Sequence, residues 1–98
     1  MPSHPTPLRK EFIMTHRLKT LPQFYKAVIE RRKPFEIRLN DRNFQSGDNI
    51  ILNEWEDGYY TGNFCVGIIM DVFDISFIMP GYVAFTFKLL GDFKEIGQ

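Results

Sequence analysis

Apolar residues recur along this chain in two periods, and the change from one to the other separates a helix from a set of strands. Leu21, Phe24, Tyr25, Val28 and Ile29 fall at helical spacing, with Gln23, Lys26 and Glu30 between them, which predicts one amphipathic helix. Thr20 stands where a cap would, and Pro22 suits the first turn. Arg31, Arg32 and Lys33 follow where the helix dipole favours cations, and Pro34 stops the helix. Ahead of it, His16–Lys19 reads as a short strand.

After Pro34 the period becomes two. Phe35, Ile37 and Leu39 fall on one face, and Glu36, Arg38 and Asn40 on the other. The apolar face is expected to be core. The charged face is then either a structural ion pair or the floor of a polar site. Asn40–Asn43 and Gln45–Asp48 carry turn chemistry, with Phe44 an anchor between them. A strand is expected from Asn49 to about Trp55, then a reversal at Glu56-Asp57-Gly58. The longest alternation, Phe64, Val66, Ile68, Met70 and Val72, predicts a strand over 63–72, with Gly62 and Gly67 as sites for bends. Asp74–Met79 fits a helical turn or a loop. After Pro80-Gly81, Tyr82–Leu90 reads as a final strand with Val83, Phe85, Phe87 and Leu89 on one side. Residues 91–98 are expected to be a frayed tail. Residues 1–13, with three prolines and no apolar run, are expected to be a flexible leader, with Met14 a candidate start of the domain.

Together these elements predict a mainly β, α+β domain over 14–90: one or two helices, with about five strands curled into a small barrel. A doubly wound fold is excluded, because helices do not alternate with strands. At 98 residues and 44% hydrophobic content, the chain supplies one core.

Charge adds an asymmetry that the zero net charge hides. Residues 1–42 carry ten Lys/Arg against four acids, whereas residues 43–98 carry two against eight. Either one basic face meets an anion, or the halves pair with each other. The single Cys65 forms no internal disulfide and reads as a packed small hydrophobe. No stretch approaches the length of a membrane span. A cytoplasmic monomer is expected, with no membrane, no metal and no cofactor. There is no Gly-rich phosphate loop, GxSxG, HExxH or CxxC.

Lys33-x-x-Glu36-x-Arg38 resembles the GxKxxExR signature of the ASCH superfamily, whose domains are similar in fold to the PUA domain. The similarity extends through His16-x-Leu18-Lys19, Asn40-Asp41-Arg42-x-Phe44-Gln45-x-Gly47-Asp48, Tyr60-Thr61-Gly62 and Gly81-Tyr82-Val83. These runs look like a bacterial and phage subfamily of ASCH-like domains of unassigned function. Arg31 stands where the signature has glycine. The resemblance implies a β-pseudobarrel with a helix near its cleft, binding RNA or a nucleotide-like ligand there without catalysis.

Carried onto this chain, Lys33 and Arg38 would contact phosphate or a base edge. Glu36 would orient Arg38 or accept from a base amine, and Asn40 shares that polar face. Lys19 and Arg42 would extend the basic rim. Tyr60, with Tyr59, would offer a stacking surface or else pack in the barrel. Glu36, Arg38, Asp41 and Arg42 can equally satisfy one another as structural pairs. One alternative is a small amidohydrolase acting on a modified nucleoside such as acetylcytidine. Related enzymes place a threonine nucleophile where this chain has Glu36, leaving Thr20 or Thr61 as substitutes. A second alternative is a phage or bacterial protein-interaction module meeting an acidic partner.

Overall fold

The structure, a computed structural model, describes residues 12–96. Most of the expected leader therefore lies outside the described residues. In chain order the elements are β1 (Thr15–Thr20), α1 (Pro22–Ile29), β2 (Phe35–Leu39), β3 (Asn49–Glu56), β4 (Tyr59–Asp74) and β5 (Tyr82–Lys94). The strands form one sheet in the order β1-β3-β4-β5-β2. Only the β1/β3 pair is parallel, since the chain crosses from one edge through α1 and β2 before returning to pair with β1.

β1 and β2 are thus the two edges of the sheet, yet arginines reach from one to the other. The Arg38 guanidinium donates to the Lys19 carbonyl at 2.8 Å, and Arg42 donates to the Arg17 carbonyl at 2.9 Å. In a flat sheet four strand spacings would hold these edges about 19 Å apart. The sheet must therefore be curled into a half-barrel that two side chains, rather than a strand ladder, draw together.

β-bulges accompany the curl. Pairing shifts register between Asn53 and Trp55, between Val66 and Gly67, and between Ile69 and Val72. A Cβ on Gly67 would lie 3.0 Å from the Lys88 carbonyl, so the close approach of β5 requires glycine there. Inside the curl, Ile50, Leu52, Cys65, Ile69, Val83, Phe85 and Phe87 meet Tyr25 and Val28 of α1. The expected side of β5, Val83, Phe85 and Phe87, is buried as its alternation predicts.

Four expectations need correction. The alternation of β2 is correct in period but reversed in sense. Phe35, Ile37 and Leu39 are 41–48% exposed, whereas Glu36 is 4% exposed. Glu36 lies beside Phe85 in the ladder, facing the interior. Thr20 does not cap α1. It is the last residue of β1, its inward-facing hydroxyl has no hydrogen-bond partner, and Leu21 occupies the cap position without a side-chain bond. Pro22 fixes the first helical residue, and the Leu21 carbonyl accepts from both Phe24 and Tyr25, so the helix starts without a side-chain cap.

The buried stripe of α1 is Tyr25, Ala27 and Val28, leaving Leu21 and Phe24 exposed. Finally, the strand of the expected tail continues. Gly91–Lys94 pair with Asn63–Val66, and Phe93 stacks on Phe64 at 5.5 Å.

The helix ends in a Schellman motif. The Arg32 amide donates to the Ala27 carbonyl and the Arg31 amide to that of Val28, with Arg31 in the left-handed region at φ 64°. That turn, followed by Pro34, swings Lys33 back toward β2. Ile75–Met79 resolves as a turn: the amides of Ile78 and Met79 both donate to the Ile75 carbonyl. Asp74 accepts from the Ser76 amide at 2.8 Å, and its hydrogen bonds to Ser76 hold its carboxyl below the usual value.

Candidate ligand-binding cleft

The seam between the two sheet edges is a cleft of about 550 Å³. Its geometry follows from which backbone groups the edges leave unused. On β1, the Met14 carbonyl accepts from Asn49 of β3, so strand alternation turns the Arg17 and Lys19 carbonyls away from β3 into the seam. The two arginines take them.

At the floor of the cleft is the Glu36 carboxylate. One oxygen accepts from the Lys33 ammonium at 2.6 Å, the other from the Arg38 Nε at 2.9 Å. Lys33 also donates to the Phe35 carbonyl at 2.7 Å, and its ammonium lies 5.0 Å from the Phe35 ring centroid. The carboxylate is shut off from solvent, while the Lys33 and Arg38 side chains keep 19% and 28% of their surface. A buried carboxylate held by two cations that still reach water is a positioning device, because it fixes where those cations point.

Lys19, Lys33, Arg38 and Arg42 line the cleft against two carboxylates, Glu36 and Asp41, with Arg42 3.8 Å from Asp41. Charge is therefore in cationic surplus. Leu18, Phe24, Phe44 and Tyr82 supply apolar wall, and Thr20 closes the β1 side. Such a lining suits a ligand that is anionic at one end and flat or apolar at the other.

Of the residues expected at the site, Lys19, Lys33, Glu36, Arg38 and Arg42 are brought together. Asn40 is elsewhere: its side chain accepts from the Phe44 amide at 3.0 Å, and it lines a separate cavity with Asn43, Gln45 and Ser76. Tyr60 lies outside the cleft, edge-on to Trp55 with centroids 4.6 Å apart. Lys19 connects the two regions, because its ammonium is 4.0 Å from the Trp55 ring centroid. Thr61 donates to Glu54 at 2.8 Å, which braces the β3/β4 hairpin.

Sequence reasoning took Thr20 for a helix cap and placed it in the cleft only under the hydrolase alternative, although its alternation with His16 and Leu18 carried the signal. It also missed the pairing of His16 with Asp48 at 2.8 Å, both buried, which nothing local announces. Burial pushes the Cys65 thiol up to about 12, so it stays protonated and is unsuited to nucleophilic work. Burial likewise raises the Tyr25 phenol. Among the described residues no group of three or more His, Cys, Asp and Glu side chains gathers as a metal site would need. No helix among them is long and apolar enough to cross a membrane.

The sequence pattern of a family described as a domain of unknown function, DUF3850, matches residues 15–87. That span runs from the first residue of β1 to Phe87 in β5, so it includes both edges of the seam. The chain is also similar to an uncharacterized 12.9 kDa protein in the GpA 3′ region of Escherichia phage P2, with 36% identity over 77 residues, covering 79% of this chain and 70% of that protein. The chain belongs to the DUF3850 family.

Proposed function

We propose that the seam is an RNA-binding cleft that holds a single-stranded segment or a nucleotide-like ligand without catalysis. The observation that carries this reading is the Lys33–Glu36–Arg38 cluster, a buried carboxylate gripping two part-exposed cations in a cleft of positive surplus. Arginine offers a planar fork to phosphate or guanine, and lysine a mobile point charge. The curled half-barrel, with its cleft between unpaired edges, supports kinship with ASCH and PUA-like domains. A cytoplasmic setting belongs to the same reading, since one cysteine offers no internal disulfide that would call for an oxidising compartment.

Binding is favoured over hydrolysis by the state of Thr20, the aliphatic hydroxyl in the wall. Thr20 has no hydrogen-bond partner, and the Lys33 ammonium is committed to Glu36 and the Phe35 carbonyl. A hydroxyl nucleophile needs a base within hydrogen-bond reach.

The test is fluorescence anisotropy against single-stranded, hairpin and duplex RNA across a salt series. Binding should favour single strands, with log affinity falling by about 0.7 per phosphate engaged for each decade of salt. Arg38→Ala should weaken it at least tenfold while the protein stays folded. Equal affinity in Arg38→Ala, or no binding to any RNA, would overturn the reading.

A further inference from the structure

The cleft is bounded on one side by the edge strand β1, and beyond that strand lies the outer face of the sheet. Along β1 the interior takes His16, Leu18 and Thr20, and the outside takes Thr15, Arg17 and Lys19. A strand crossing this edge meets two cations first. Beyond them, in register, lies Asn53 beside Lys19, then Trp55 paired with Tyr60.

The rings there are organised and open. Trp55 and Tyr60 stand at 76° to each other, and the Lys19 ammonium caps the Trp55 ring. Tyr60 is 57% exposed. The hairpin that presents them is braced, since Glu54 accepts from both Thr61 and Asn63. Glu56 and Asp57 form the acidic tip beyond, where a phosphodiester is repelled, so the favourable path is short.

Resting on the cleft reading, we propose that this surface is a second subsite. It stacks the nucleotide next to the one in the cleft, with the connecting phosphate over Arg17 and Lys19. The ligand is then a single-stranded oligonucleotide of at least two residues, not a free nucleotide. Stacking fits a chain edge that offers aromatic faces and isolated cations. Lys19 belongs to both subsites, which makes them continuous.

Trp55 is the only tryptophan, so its fluorescence reports directly on the surface. Adenosine and uridine 5′-monophosphates would be titrated against tetra-adenylate and tetra-uridylate, using the full chain and its Tyr60→Ala, Tyr60→Phe and Arg38→Ala variants, with melting temperatures checked in parallel. The tetranucleotide should bind at least tenfold tighter than the monophosphate and quench Trp55. Tyr60→Ala should lower tetranucleotide affinity about fivefold or more, the low end for loss of one stacked base. Monophosphate affinity should stay unchanged in Tyr60→Ala, and Tyr60→Phe should retain tetranucleotide binding. Arg38→Ala should weaken both ligands. Affinity independent of length, or unaffected by Tyr60→Ala, overturns the second subsite while Arg38-dependent monophosphate binding leaves the cleft standing. No binding of either ligand overturns both.

Discussion

Two carboxylates are buried in this half-barrel, and they are used in opposite ways. Asp48 accepts from the Met14 amide at 3.2 Å and the Gln45 amide at 3.1 Å, and pairs with His16 Nε2 at 2.8 Å. All of these partners are scaffold. His16 is itself 4% exposed and packs on Phe44, with ring centroids 4.7 Å apart, so the cluster ties the start of β1 to the turn before β3. Glu36 is as deeply buried, but its partners Lys33 and Arg38 keep open surface on a cleft. A polar cluster whose groups are buried among the scaffold holds a fold together. One that ends in part-solvated cations can also hold a ligand.

Four substitutions probe that contrast. Asp48→Ala should have the largest effect, about 3–5 kcal/mol of stability in a denaturant melt, because it strands buried partners with no water to turn to. RNA affinity of the folded fraction should stay within about twofold, a difference of only about 0.4 kcal/mol. Glu36→Ala should cost less, about 2 kcal/mol, since Lys33 and Arg38 can swing toward solvent. Unlike Asp48→Ala, it should change affinity and salt dependence together, since the two cations lose the group that aims them. Equal stability losses with no change in binding would erase the contrast.

Arg31→Gly should stabilise by about 0.5–1 kcal/mol, read as a raised melting temperature, because Arg31 adopts φ 64° where glycine is unstrained. Arg31 does not line the cleft, so affinity should not move. The smallest effect is expected at Phe35, where alanine should cost about 1 kcal/mol or less. Its ring is 41% exposed, with the Lys33 ammonium over it. A loss of about 3–5 kcal/mol, as for a buried phenylalanine, would mean that the faces of β2 are assigned the wrong way round.

That last case marks where sequence reading succeeds and fails. Period-two spacing correctly puts Glu36 and Arg38 together, because alternation fixes which residues share a face, whereas Lys33 joins them through the turn that ends α1. It does not fix which face points inward. The usual rule sends apolar residues to the core, but β2 is an edge whose charged side closes the seam, so the rule inverts there. β5 lies inside the sheet, and the rule holds for Val83, Phe85 and Phe87. Thr20 misled because a threonine two residues before a proline suits a cap and a strand end alike. Gly91–Lys94 become strand through partners in β4, and His16 meets Asp48 across 32 residues. Neither relation leaves a local trace. Lys19 and Arg42 were legible as cleft cations, but the carbonyls of Arg17 and Lys19 that anchor Arg42 and Arg38 are backbone groups to which composition is blind.

The most direct measurement is an amide NMR titration of the ¹⁵N-labelled chain with single-stranded RNA. Shifts should concentrate at Lys19, Lys33, Glu36, Arg38 and Arg42, leaving His16, Gln45 and Asp48 in place. Perturbation centred on the Asp48 cluster, or none at the seam under saturating RNA, would contradict the assignment of the Glu36 cluster as the binding site.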